Sequence, residues 1–316
     1  MAEMRRIGSS DLEVFPLNLG GNVFGWTADR DDSFAVLDAY RAAGGNFIDT
    51  ADSYSAWVPG NRGGESETII GEWLETRGAR SQTVVATKVG SHPQFKGLAA
   101  DTIKRAADAS LERLRTDYID LYYIHYDDES VSVEEIMVAL DELVRVGKVR
   151  AIGASNISPD RLEAQLEFSE HEGTARYDAL QPLYNLVARD TYEGERRGIA
   201  EHYGLGVMPY AALAGGFLTG KYRPGTAHQV ESARAAGAVK YLESERGRKI
   251  LATLDEVAAA HRAELAAVAI AWLAAQPTVV APIASARTVE QVPALVAAAT
   301  LVLDKEEIAK LDEASA

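Results

Sequence analysis

The sequence predicts a (β/α)8 TIM-type barrel, formed as a single domain over residues 1–316. Three observations lead there. Apolar runs of strand length alternate with longer stretches of helical period along the chain, and both number eight. Strict alternation implies parallel pairing through right-handed crossovers, and eight units are the number that closes a barrel. The competing doubly wound sheet would carry a glycine fingerprint on its first turn, but neither Leu19-Gly20-Gly21-Asn22-Val23-Phe24-Gly25 nor Gly204-Leu205-Gly206 fits G-x-G-x-x-G.

In chain order, a turn signal, Gly8-Ser9-Ser10-Asp11, lies within residues 5–15 and suits a small N-terminal β-hairpin capping the bottom of the barrel. Strand runs follow at 17–21, 46–49, 84–88, 118–125, 149–155, 179–182, 206–210 and 278–283. Between them helical period covers 33–43, 65–76, 101–113, 132–146, 159–172, 195–203 and 244–276, with a last helix from Thr288. Val133, Ile136, Met137, Leu140, Leu143 and Val144 keep one helical face. Ser132 with Glu135 predicts a capping box, and Gly147 a left-handed stop. Ser158 predicts an N-cap with Pro159 in the first turn and Ile157 stapled to Leu162. Leu265, Val268, Ala269, Trp272 and Leu273 form another buried face, ended by Pro277. No repeat, low-complexity tract or linker divides the chain.

Composition narrows the function. There are 32 basic and 47 acidic residues, a net charge of −15. So acidic a surface disfavours nucleic acid and anionic membrane as partners and leaves small molecules. With no cysteine, a thiol nucleophile and thiolate metal sites are excluded, and no metal site is expected. Met-Ala-Glu-Met-Arg-Arg is not followed by an apolar run, and the stretches at 265–275 and 292–303 are too short to span a bilayer. The expected location is cytoplasmic.

Three strand runs end in an ionisable residue: Asn46-Phe47-Ile48-Asp49, Val84-Val85-Ala86-Thr87-Lys88 and Leu121-Tyr122-Tyr123-Ile124-His125. A buried charge costs several kcal/mol unless paired, so packing alone does not account for the set. In a barrel these ends share one mouth. With Tyr54, just past the second strand, they compose a carbonyl-protonating device without a metal. An ammonium at Lys88 favours the Tyr54 phenolate, Asp49 keeps Lys88 charged, and His125 orients a carbonyl oxygen.

These residues resemble those of the aldo-keto reductases. The likeness begins at Gly44-Gly45-Asn46-Phe47-Ile48-Asp49-Thr50-Ala51-Asp52-Ser53-Tyr54 and continues through Thr87-Lys88, Ile124-His125, Gly153-Ala154-Ser155-Asn156 and Gln181-Pro182-Leu183-Tyr184-Asn185. It resumes at Tyr210, Gly216-Phe217-Leu218-Thr219-Gly220-Lys221-Tyr222 and Ala286-Arg287-Thr288-Val289-Glu290-Gln291. The resemblance implies an NADP(H)-dependent oxidoreductase that passes hydride directly to an aldehyde or ketone, NAD(H) being possible. It implies Tyr54 as general acid with its pKa lowered by Lys88, Asp49 as partner of Lys88, and His125 positioning the carbonyl. Ser155, Asn156 and Gln181 match positions that hold the nicotinamide carboxamide, and Tyr210 the ring stacked on it. Leu213 opens a loop over the pyrophosphate that ends in Lys221, and Ser285, Arg287 and Gln291 match contacts to the adenosine phosphate. Arg287 favours a 2′-phosphate.

The chain departs from the family pattern at Ala294 and Leu295, where many relatives hold adenine with a glutamate and an asparagine, and at Ala211-Ala212, in place of Ser-Pro. Phe24, Trp26 and Trp57 are expected in the substrate pocket, Tyr126-Asp127-Asp128-Glu129 as a solvated acidic loop, and residues 222–244 as a mobile lid. Aromatic walls suit an apolar or a sugar-like carbonyl compound, and the sequence does not choose between them. Two other classes stay open: a Schiff-base aldolase using Lys88 as nucleophile, and a cofactor-binding regulatory subunit of the same fold.

Overall fold

In a computed structural model of the chain, residues 2–225, 230 and 233–316 are described. The parallel strands are Asn18–Gly20, Phe47–Asp49, Val84–Val89, Ile119–Ile124, Val149–Ser155, Tyr177–Gln181, Gly206–Val207 and Ile283–Ala284. Each pairs with the next through the seventh, and the eighth pairs with the first. A bridge between Val207 and Val279 closes the remaining seam, where Ile283 N–H donates to Pro209 O at 2.8 Å. The sheet therefore meets itself, as eight right-handed βα units require.

Strand periodicity decides what faces the barrel axis. Phe47, Val84, Ala86, Leu121, Tyr123, Ala151, Ala179 and Met208 form the interior cluster. Two residues after the last of these, or four after Ala151, come Asp49, Lys88, His125, Ser155, Gln181 and Tyr210. Side chains alternate across a strand, so the interior row delivers those polar residues inward at the carboxyl mouth. A one-residue slip would turn each of them into the helical layer instead. Gly153 belongs to the same inward row because a Cβ there would lie 2.5 Å from the Tyr123 ring.

The N-terminal hairpin forms as expected, with Arg5–Arg6 antiparallel to Glu13–Val14. Its Ile7, Leu12 and Val14 join the interior cluster and plug the amino end. Asn46 clamps it, accepting from Phe15 N–H at 2.8 Å and donating to Glu13 O at 3.0 Å. Beside it, Gly45 must be glycine, since a Cβ would meet the buried Tyr40 ring at 2.2 Å.

The helices are Arg30–Ala42, Glu65–Arg77, Ala100–Leu114, Val133–Arg145, Pro159–Glu172, Glu195–Tyr203, Ala235–Glu243, Glu245–His261, Leu265–Ala274, Val292–Ala297 and Lys305–Ser315. Ser158 caps as predicted, accepting from Arg161 N–H. Ser132 makes only half of its predicted box: it accepts from Glu135 N–H, while the Glu135 carboxylate accepts from Ala100 N–H of the preceding helix at 2.9 Å. The predicted helix over 244–276 is two helices bent by 96°, because Arg262 takes a left-handed conformation (φ 53°) that ends the first. The final helix is also divided, by a single turn at Val289–Gln291 and a break before Asp304, whose capping box starts Lys305–Ser315. Among the described residues no single helix is long and apolar enough to cross a membrane. Of the expected lid, Ala235–Glu243 is helical, and residues 226–229 and 231–232 lie outside the described residues.

Candidate active site

Four strand ends and the loop after the second strand bring the predicted polar residues together. Lys88, fully buried, donates to Asp49 Oδ2 at 2.6 Å, to Thr50 O at 2.6 Å and to the Tyr54 hydroxyl at 3.0 Å. The Tyr54 hydroxyl donates to Asp49 Oδ2 at 3.3 Å, and Gln181 Nε2 donates to Asp49 Oδ1 at 2.8 Å. All three ammonium protons and both carboxylate oxygens are thus engaged, as a buried ion pair requires. The His125 ring lies 6.0 Å from that of Tyr54, centroid to centroid.

Burial sets the electrostatics of the site. Burial, and then the Asp49 carboxylate, push the Tyr54 hydroxyl well above the ordinary phenol range, and burial pulls Lys88 down. Desolvation of the phenolate is the largest influence on this hydroxyl. Tyr54 keeps its proton at neutral pH. His125 is pushed down to about 3 by burial first and by the Lys88 charge second, and is therefore neutral. Its Nδ1 is buried without a partner, leaving Nε2 as the nitrogen available to a ligand.

That shift has a stability consequence. Because the folded pKa of His125 lies below its ordinary 6.5, the unfolded chain binds the extra proton, and stability present above pH 6.5 is lost as pH falls. Between pH 6.5 and about 4.5 this histidine is expected to remove about 2 kcal/mol, a loss that His125→Gln lacks. Urea midpoints of both proteins at the two pH values check it; parallel slopes would remove the assignment.

A cleft of about 860 Å³ opens at this mouth. Asp49, Tyr54, His125, Ser155, Asn156, Gln181, Tyr210, Leu213, Lys221, Ser285, Arg287 and Gln291 all line it. Every predicted cofactor residue therefore borders one continuous space. Asn156, in a left-handed conformation (φ 46°), accepts from the Tyr210 hydroxyl at 2.9 Å and donates to His125 O at 2.9 Å. Ser155 donates to Gln181 O at 2.8 Å. These bonds fix the Tyr210 ring as a wall and group amide donors and acceptors beside it, an arrangement that suits a nicotinamide. Also on the cleft, Ser285 donates to Asn22 Oδ1 at 2.6 Å, and Gln291 accepts from Arg287 N–H at 2.8 Å. Ala294 and Leu295 line the same cleft.

Among the predicted pocket residues the structure separates three cases. Trp26 lines the cleft. Trp57, half-exposed at 51%, meets Trp26 edge-on at 5.5 Å and Tyr54 at 6.2 Å, which places it on the rim. Phe24 is fully buried in the helical layer and does not belong to the pocket. Its backbone oxygen accepts from Ser55 Oγ at 2.8 Å.

The acidic loop also differs from its prediction. Tyr126 stacks on His125 at 5.0 Å and lines the cleft. Asp127 pairs with Arg161 at 2.7 Å. An aromatic residue directly after a strand-terminal histidine was the available signal. Asp52, quoted within the motif but given no role, is fully buried with neither carboxylate oxygen partnered. Burial and the Glu67 charge hold it well above the usual carboxylate range.

A parallel barrel carrying these side chains at its carboxyl mouth is the setting of a carbonyl-reducing oxidoreductase. The aldo/keto reductase family model matches residues 16–316, and the chain belongs to that family. It is 34% identical to norsolorinic acid reductase stcV of Emericella nidulans over 96% of this chain and 78% of the relative. It is 36% identical to the uncharacterized oxidoreductase YrpG of Bacillus subtilis (98% and 95%) and 30% to the protein tas of Escherichia coli (98% and 96%).

Proposed function

We propose that this aldo/keto reductase uses NADP(H) to reduce an aldehyde or ketone to an alcohol, or to run the reverse, with Tyr54 as general acid and base. The observation that carries the reading is the Tyr54 hydroxyl in the cleft wall with Lys88 Nζ 3.0 Å behind it. When bound, the dinucleotide supplies the hydride. As negative charge grows on the carbonyl oxygen, Tyr54 turns its proton from Asp49 Oδ2 to that oxygen. The phenolate left behind faces the Lys88 ammonium, which Asp49 and Thr50 hold in place. His125, neutral, donates from Nε2 and fixes the carbonyl's direction.

Lys88 itself is fully buried and does not line the cleft. A Schiff-base nucleophile needs an approach that Tyr54 and Asp49 occupy here, which favours reduction over aldol chemistry. Arg287, at the adenosine end, supports a preference for the 2′-phosphate. With cofactor deuterated at the transferred position, the label is expected on the carbinol carbon of the product. NADPH is expected to be preferred over NADH by about tenfold, one charge-assisted contact. An unlabelled alcohol would overturn direct transfer, and equal use of both dinucleotides would remove the role of Arg287.

A further inference from the structure

We propose that Ser55 is a positioning residue for Tyr54: its buried hydroxyl, on a left-handed backbone, ties the loop that carries the tyrosine to the loop that carries Trp26. The proposal rests on the reductase reading of the Tyr54 hydroxyl. Ser55 follows Tyr54 directly, is fully buried and has a φ of 68°, a conformation that glycine adopts freely and that strains a residue with a Cβ. Such strain persists only where the surroundings over-determine it. Here they do. Ser55 Oγ donates to Phe24 O at 2.8 Å, and Ser55 O accepts from Asn61 Nδ2 at 3.1 Å and from Val58 N–H at 3.1 Å. The same Asn61 amide also donates to Gly25 O at 3.1 Å, so two bonds cross between the loops.

A turn that needed only this backbone angle would be served by glycine without strain, and what serine adds is the bond to Phe24 O. That bond sits between residues that border the cleft. Trp26 and Tyr54 both line it, and Trp57 meets Trp26 edge-on at 5.5 Å and Tyr54 at 6.2 Å. The tie has no slack, since a Cβ at Gly25 would lie 2.9 Å from Glu65 Cβ and 3.7 Å from Ser55 Oγ. Asp49 and Lys88, on adjacent strands, hold the hydroxyl end of the Tyr54 side chain. Ser55 holds its backbone end. With both ends fixed, the hydroxyl points at one place in the cleft, and a shift of about 1 Å in a reacting group is enough to cost a large part of the rate.

The test compares Ser55→Gly and Ser55→Ala in the full-length protein, with NADPH and two aldehydes, 4-nitrobenzaldehyde and butanal. Glycine loses the bond and relieves the strain, whereas alanine loses the bond and keeps the strain. The glycine variant is therefore expected to unfold at higher urea than the alanine variant. Both are expected to lower kcat by about tenfold, with KM and NADPH affinity, read by fluorescence quenching, within about twofold of wild type. The deuterium isotope effect on kcat from labelled NADPH is expected to be at least as large as in the wild type, because the slowed step is the transfer itself. A kcat that follows stability, with glycine at the wild-type rate and alanine below it, overturns the proposal and leaves Ser55 a folding residue. So does a loss confined to KM or to NADPH binding. Turnover of neither aldehyde by the wild-type protein is the distinct result that defeats the reductase reading itself.

Discussion

Tyr54→Phe is expected to lower kcat for carbonyl reduction by about 10³-fold or more while leaving dinucleotide binding nearly intact, within the range of a general acid that also stabilises charge. The substitution removes one oxygen. Lys88 still donates to Asp49 at 2.6 Å and Thr50 at 2.6 Å, and Gln181 still donates to Asp49 at 2.8 Å, so the buried ion pair keeps its partners. The ring remains, and with it the edge-on contacts to Trp57 and His125. Loss of activity in a folded, cofactor-binding protein would therefore assign the proton to the hydroxyl; retained turnover would assign it elsewhere. The wild-type pH profile belongs to the same prediction. Burial and Asp49 raise the Tyr54 pKa, so reduction needs a form already present at neutral pH and should be flat there. Alcohol oxidation needs the phenolate and should rise with pH.

Lys88→Met is expected to cost both stability and activity, the former by about 3–5 kcal/mol, because it leaves Asp49 as a buried carboxylate without its counter-ion. The double variant Asp49→Asn with Lys88→Met separates the causes. Removing both charges is expected to recover most of the stability and none of the activity. Urea unfolding of the two proteins measures the first, and steady-state reduction the second. If the double variant is as unstable as the single one, the loss comes from packing around the lysine stem and not from the orphaned carboxylate.

The barrel was legible because its signals are local and repeated. Eight apolar runs and the N-caps at Ser132 and Ser158 each act within a few residues. The errors fall where a single residue overrides a pattern. Arg262 in a left-handed conformation divides a stretch of unbroken helical period, and a glutamate expected to complete its own cap instead serves a neighbouring helix. Neither event leaves a trace in periodicity.

The sequence by itself determined which residues meet at the mouth. Period-two alternation and parallel pairing send Asp49, Lys88, His125, Ser155 and Gln181 inward together, and no other register buries the apolar row beneath them. Tertiary structure alone decided what those residues are electrostatically and what surrounds them. Burial and distance, which sum over segments remote in the chain, set the high pKa of Tyr54 and the low one of His125. They also remove Phe24 from the pocket, bring Tyr126 into it, and enclose Asp52 behind the site. A side chain's type is written in the sequence, but the dielectric around it is set by its neighbours in space.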